Sequence, residues 1–155
     1  MDITTREDIE VPQAELFEMI TDFSRVERSI LRRGAQLRRV DNLDGPCVGM
    51  SWVTDYDFRG KTRTTEATLA EFERPGRMVF ETNTGGLDTQ AIVELVALSR
   101  SRTRMTLTAH MTPKSLLGRL LVQSLRLARG SIVKRLRVWM ADLAKELEDR
   151  HKRTA

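Results

Sequence analysis

Residues 113–150 read PKSLLGRLLVQSLRLARGSIVKRLRVWMADLAKELEDR. Apolar side chains recur in this stretch at steps of three or four, at Leu117, Leu121, Leu125, Ala128, Ile132, Leu136, Trp139, Leu143 and Leu147. This period predicts one long helix with a continuous apolar face. A face of this length needs a broad partner surface, so we expect Ile132, Trp139 and Leu143 to be buried against a sheet.

The residues before this helix predict seven strands and two short helices. Residues 3–11 alternate as a first strand, and residues 13–21 have the spacing of a short helix. A second short helix follows Ser24, which can form a capping box with Glu27. Residues 35–111 then alternate with a period of two and are broken by regular turns, which predicts six antiparallel strands. The fold class is therefore α+β.

Length and composition predict a single soluble domain. The chain has 155 residues, of which 40% are hydrophobic and 31% charged, so we expect one domain over residues 1–150 and a tail over residues 151–155. We expect a cytoplasmic protein, since the sequence shows neither a secretory signal nor a membrane span. The net charge of +4 comes from arginines interleaved with acidic residues, without stacking aromatics. This pattern predicts a solvated face and no nucleic-acid partner.

Two short motifs give this order of elements a family resemblance. They are Ile9-Glu10-Val11-Pro12 and the series Pro113-x-x-Leu116-Leu117-Gly118-Arg119-Leu120-Leu121. The chain resembles the START-like or Bet v 1-like (SRPBCC) superfamily, and within it the bacterial polyketide cyclase/dehydrase branch. The resemblance implies a helix-grip fold, in which a curved seven-stranded sheet wraps around the long C-terminal helix. It also implies a ligand cavity between the sheet and that helix.

The strand register predicts which side chains line the cavity. A tight turn at Arg59-Gly60 predicts a series of cross-strand pairs whose partners share a face, among them Tyr56 with Arg63, Thr54 with Thr65, and Trp52 with Ala67. Met105 and Leu107 in the last strand face inward if the loop before them holds an odd number of residues. The predicted ligand-binding residues are Trp52, Thr54, Tyr56, Arg63, Thr65 and Phe80.

This lining is mainly apolar, with a few groups that can form hydrogen bonds. Such a pocket suits a lipid-like, aromatic or polyketide-like ligand with an oxygen that Tyr56 and Arg63 could hold. A buried arginine is costly unless paired. Two placements of Arg63 therefore stay open: inside the cavity, or at the sheet rim with its charge in solvent.

The sequence carries no catalytic signature. His110 is predicted on the outer face of the sheet and His151 in the tail, neither beside a nucleophile. We predict no metal site and no cofactor, because no ligand cluster, phosphate loop or dinucleotide motif is present. The lone Cys47 excludes an internal disulfide. The catalytic residues are unknown, and Arg63 and Tyr56 are the only candidates.

Three functions remain open. The first is a binding protein or carrier for a hydrophobic small molecule. The second is an enzyme similar to polyketide aromatase/cyclases, in which Tyr56 and Arg63 steer a reactive chain. The third is a module that binds another protein through its surface and takes no ligand. The chain is expected to be a monomer or a homodimer.

The start and the flank of the long helix carry further predictions. Thr112 is suited to cap the first turn, Pro113 to the first helical position, and Gly130 to a bend. Beside the main apolar face lie Leu116, Leu120 and Leu127. These leucines predict a second contact with one of three partners: the cavity mouth of the same chain, which we favour, a second copy, or an anionic membrane.

Overall fold

The computed structural model describes residues 1–58 and 60–154, without the side chain of Phe58. Its elements are, in order, β1 (Asp2–Ile9), α1 (Gln13–Ile20), α2 (Phe23–Arg32), β2 (Gln36–Arg39), β3 (Ser51–Phe58), β4 (Lys61–Glu73), β5 (Arg77–Thr84), β6 (Leu87–Ala97), β7 (Thr103–Pro113), α3 (Leu116–Leu127) and α4 (Arg129–Thr154). The strands form one antiparallel sheet in the order β1-β7-β6-β5-β4-β3-β2. The predicted α+β class and the predicted strand count are confirmed.

The strand registers agree with the sequence pattern. The partners across β3 and β4 are Tyr56 with Arg63, Thr54 with Thr65, and Trp52 with Ala67. Arg59 of the predicted turn lies outside the described residues. Strands β6 and β7 are joined by residues 98–102, an odd number, so that Met105 lies opposite Leu95 and Leu107 opposite Val93. Met105 is buried and Leu107 packs against the same core, which confirms that both face inward.

The predicted single helix over residues 113–150 is two helices. Its predicted cap is wrong, because Thr112 and Pro113 still pair with β6 and are held in the extended conformation. Ser115 caps α3 instead, and its hydroxyl accepts a hydrogen bond from the backbone N–H of Gly118 at 3.0 Å. Helix α3 ends at Leu127 and is capped by Ala128, two residues before the bend predicted at Gly130. Helix α4 extends to Thr154, so residues 151–154 of the predicted tail are helical.

The inner side of the sheet carries two hydrophobic clusters. The first joins β1, α1, β6, β7 and α4 through Ile9, Val11, Leu16, Phe17, Leu95, Met105, Met140, Ala144 and Leu147. The second, on the same face, joins α2 to β3, β4 and β5 through Phe23, Met50, Trp52, Leu69 and Met78. The buried face of α4 is thus formed by Met140, Ala144 and Leu147.

The predicted burial of Trp139 is wrong, since its side chain is 39% exposed. Ile132 and Leu143 are half-buried, and Leu143 packs against the edge of the first cluster. The sequence prediction treated residues 113–150 as one uninterrupted helix of 3.6 residues per turn. In the structure α4 is a separate helix, and it turns Met140, not Trp139, toward the sheet.

Helix α2 begins earlier than predicted. The carboxylate of Asp22 caps it by accepting a hydrogen bond from the backbone N–H of Arg25 at 3.3 Å, so Ser24 lies inside the helix. The early start brings Phe23 into the second cluster. The predicted capping box is wrong as well, because Glu27 accepts a hydrogen bond from the indole N–H of Trp52 at 2.8 Å.

The loop between β2 and β3 is organised by one carboxylate. Asp41 pairs with the guanidinium of Arg39 at 2.8 Å and accepts hydrogen bonds from the backbone N–H groups of Leu43 and Ser51. The hydrogen bond from Arg39, and after it the one from Ser51, hold the pKa of Asp41 well below its ordinary value. The charged form is therefore the one that stabilises this loop.

Replacing Asp41 by asparagine is expected to lower the melting temperature at pH 7. Folding lowers the pKa of Asp41, so the carboxylate contributes to the free energy of unfolding at any pH above its unfolded pKa of about 3.9. This contribution is lost as the pH falls from there toward the lowered pKa of the folded state. The difference in melting temperature between wild type and Asp41→Asn should therefore shrink below about pH 4. Asp44→Asn, at an exposed position of the same loop, is the control and should match wild type. A difference that is the same at pH 3 and pH 7 would contradict this role.

Candidate functional site

The inner face of β3, β4 and β5 is only partly covered. Helices α3 and α4 lie against β6, β7 and β1, whereas α2 contacts β2 and covers one end of β3, β4 and β5 through Phe23. Between them, inward-facing side chains are half-buried. We call this region the inner groove and define it by Tyr56, Arg63, Thr65, Phe80, Thr82 and Thr84. Solvent reaches these side chains although they point to the concave side of the sheet.

Three hydroxyl groups form a connected chain in the inner groove. The Thr65 and Thr84 hydroxyl oxygens lie 2.6 Å apart, and the Thr65 hydroxyl donates to the Tyr56 phenol oxygen at 3.2 Å. A hydroxyl has a single proton, so Thr84 donates to Thr65 when Thr65 donates to Tyr56. In this polarity the phenol accepts one hydrogen bond and can donate its own proton to a ligand oxygen.

Arg63 lies beside this hydroxyl chain. It is the cross-strand partner of Tyr56, so both side chains are on the same face of the hairpin. Its side chain is half-buried, between the two placements that the sequence left open. The groove therefore combines a cation with a chain of polarised hydroxyls, an arrangement suited to an electron-rich oxygen.

An aromatic cluster borders the inner groove. The ring of Trp52 lies 5.4 Å from that of Phe23 and 6.1 Å from that of Phe80, measured between centroids. Trp52 is only 7% exposed, and its indole N–H is bonded to Glu27, so it belongs to the core and anchors α2. Phe80 is half-buried and offers an apolar surface to the groove.

The six predicted site residues thus fall into three groups. Tyr56, Arg63 and Thr65 are brought together as the polar members of the inner groove. Phe80 is its aromatic member, and Trp52 is the buried ring that packs beside Phe80. Thr54 is different, because its hydroxyl donates to the backbone carbonyl of Gln36 in β2 at 2.8 Å.

The sequence reasoning missed two residues, Thr84 and Glu27. Thr84 could have been identified by extending the strand alternation two residues past Thr82. No sequence signal connected Glu27 to Trp52, because the pair joins α2 to β3 across 25 positions.

Both histidines bind carboxylates and lie away from the groove. His110 is on the outer face, as predicted, with its Nδ1 atom 2.9 Å from Asp2. The hydrogen bond to His110 lowers the pKa of Asp2. The Nδ1 atom of His151 lies 2.8 Å from Glu15 and joins the end of α4 to α1. Both histidines therefore have partners that the sequence did not reveal.

Neither a metal-ligand cluster nor a helix suited to span a membrane occurs in residues 1–58 and 60–154. In this part of the chain, no group of three or more His, Cys, Asp or Glu side chains is placed to hold a metal ion. No helix in the same residues is long and apolar enough to cross a membrane.

Comparison with known proteins finds similarity of structure alone. No family model and no curated protein matches the chain. A norcoclaurine synthase point mutant from Thalictrum flavum matches with a TM-score of 0.70 and 11% identity, over 98% of this chain and 96% of that chain. The Zhui aromatase/cyclase from Streptomyces sp. R1128 matches with a TM-score of 0.66 and 11% identity, over 97% and 94%. A START superfamily protein from Mycobacterium smegmatis matches with a TM-score of 0.63 and 11% identity, over 99% of both chains.

Proposed function

Because this chain has the START-like helix-grip fold, we propose that it binds a hydrophobic small molecule in the inner groove. The ligand is lipid-like, aromatic or polyketide-like and carries an oxygen that accepts hydrogen bonds. The observation that carries the proposal is the hydroxyl chain Thr84–Thr65–Tyr56 beside Arg63, next to the apolar ring of Phe80.

The roles of the residues follow from their positions. The phenol of Tyr56 donates a hydrogen bond to the ligand oxygen, and Thr65 polarises that phenol by donating to it. Arg63 attracts negative charge on the same oxygen. Phe80 contacts the apolar part of the ligand, while Trp52 acts indirectly by holding α2 beside the groove. Thr54 contributes through the sheet, since its hydroxyl is bonded to β2.

A matched pair of variants tests this proposal, with 1-anilinonaphthalene-8-sulfonate as a fluorescent probe. Thr65→Val removes an inward hydroxyl, and Thr64→Val removes the neighbouring outward one. Loss of one hydrogen bond corresponds to about 1 kcal/mol, so Thr65→Val and Tyr56→Phe should each raise the Kd roughly fivefold. Thr64→Val should leave the Kd unchanged.

The melting temperature of each variant gives the folding control for these titrations. If Thr65→Val, Tyr56→Phe and Arg63→Gln all fold and bind the probe as wild type does, the inner groove is not the ligand site. A wild-type protein that binds neither this probe nor fatty acids would favour the protein-interaction module instead.

The second candidate function is a cyclisation of a polyketide-like chain, favoured by the structural similarity to the Zhui aromatase/cyclase. In this reaction a carbon between two ketones loses its acidic proton to solvent water and attacks another ketone of the same chain. As the carbon–carbon bond forms, Tyr56 would donate its proton to the oxygen of the attacked ketone and later regain one from water, while Arg63 would stabilise the developing alkoxide charge. Incubation with a linear poly-β-ketone thioester tests it by mass spectrometry of the products. Equal rates of cyclisation with wild type, Tyr56→Phe and no protein would exclude the enzyme.

A further inference from the structure

Helix α3 turns an apolar face toward solvent. At 100° per residue, Leu116, Leu120 and Leu127 lie within about 40° of one another. Their side chains are 75%, 54% and 93% exposed, and Leu117 beside them is 55% exposed. The favoured prediction, that these leucines cover the cavity mouth of their own chain, is therefore wrong.

The opposite face of α3 is fixed to the sheet. Gly118 is buried, and a Cβ atom built there would lie 2.3 Å from the carbonyl oxygen of Gly86. Val122, one turn later, is also buried. Since Gly118 and Val122 hold this side of the helix, the outer leucines cannot turn inward without displacing α3 from the β5–β6 turn.

The helical segment that carries the exposed leucines is positively charged. Residues 114–141 contain seven lysines and arginines and no aspartate or glutamate. Lys114 precedes α3, and Arg119 and Arg126 follow one flank of its leucine face, both exposed. Helix α3 thus presents apolar side chains and cations together on its solvent side.

We propose that this face of α3 docks on an anionic bilayer surface. A helix of 12 residues, about 18 Å long, would lie in the plane of the interface. Its leucines would enter the acyl boundary and its arginines would meet the headgroup phosphates. A second copy is a poorer partner, because pairing two such faces would bring their cations together.

Docking would place the ligand site next to the membrane. The ideal Cβ position of Gly85 in the β5–β6 turn lies 3.9 Å from both Leu117 and Leu121 of α3, and Thr84 of the inner groove directly precedes this turn. A hydrophobic ligand then passes between bilayer and groove over a short path. This coupling rests on the proposed function, whereas the docking itself does not.

Vesicle flotation tests the docking. Wild type should float with vesicles of phosphatidylcholine and phosphatidylglycerol, less with phosphatidylcholine alone, and less again at high salt. The triple variant Leu116→Ser/Leu120→Ser/Leu127→Ser should bind at least about tenfold more weakly, as should Arg119→Gln/Arg126→Gln. The control Val96→Ser/Leu98→Ser changes two exposed apolar residues elsewhere and should bind like wild type.

Three results would overturn the docking. The first is a wild-type protein that does not float with anionic vesicles. The second is a control variant that loses as much vesicle binding as the triple variant does. The third is a wild-type protein that sediments as a dimer and does not float, while the triple variant sediments as a monomer. The last result would identify a second copy as the partner.

Titration of 1-anilinonaphthalene-8-sulfonate without vesicles separates the two proposals. Probe binding kept by a protein that does not float refutes docking alone, and flotation without probe binding refutes the ligand site alone.

Discussion

Replacing Met140 by aspartate is expected to unfold the protein at neutral pH. Met140 is 1% exposed and lies in the cluster that joins α4 to α1 and the sheet. Truncation of a buried methionine alone costs about 2–5 kcal/mol, and an unpaired carboxylate in its place adds the cost of burying a charge. The sum approaches or exceeds a typical free energy of unfolding of about 5–15 kcal/mol.

The neighbouring Trp139→Asp is the matched control. Trp139 is 39% exposed, so a carboxylate at this position stays in water and the protein should remain folded. Circular dichroism and thermal melting of both variants measure the difference. A folded Met140→Asp variant with the wild-type melting temperature, or an unfolded Trp139→Asp variant, would show that α4 is packed in the phase read from the sequence.

Replacing Gly118 by alanine is expected to have the second largest effect. A Cβ atom at this position would lie 2.3 Å from the carbonyl oxygen and 2.9 Å from the carbonyl carbon of Gly86. Both are backbone atoms, which cannot move aside as a flexible side chain would. Helix α3 must therefore shift from the β5–β6 turn, and the melting temperature should fall by several degrees, roughly 4 °C for each kcal/mol lost.

Replacing Gly130 by alanine is expected to stabilise the protein instead of destabilising it. Gly130 is exposed near the start of α4, and no atom lies within 4 Å of an added Cβ. Alanine has a higher helix propensity than glycine, so Gly130→Ala should stabilise the protein by up to about 1 kcal/mol. The melting temperatures of Gly118→Ala and Gly130→Ala, compared with that of wild type, test both expectations. Stabilisation by both would mean that α3 does not make its close approach to Gly86.

Strand alternation was the part of the sequence that could be interpreted most completely. It gave the pairing of Tyr56 with Arg63, because a period of two leaves only one choice of face once a turn is placed. Tyr56, Arg63 and Thr65 therefore lie on the same face of the sheet, and their part in ligand binding stays a prediction. Thr84 follows from the same rule and was reachable from the sequence. The inward side of β7 depended on the number of residues in the β6–β7 loop, which only the structure supplied.

The boundaries and the buried faces of the helices could not be predicted in this way. The sequence by itself determined that residues after β7 are helical and amphipathic, since side-chain spacing is a local property. Only the tertiary structure decided that the β6–β7 ladder continues to Pro113, that the helix breaks at Ala128, and that Met140 replaces Trp139 as the buried residue. These outcomes depend on backbone hydrogen bonds and on close approaches between segments that are distant in the chain, such as Gly118 against Gly86. The local spacing of apolar residues carries no information about such contacts.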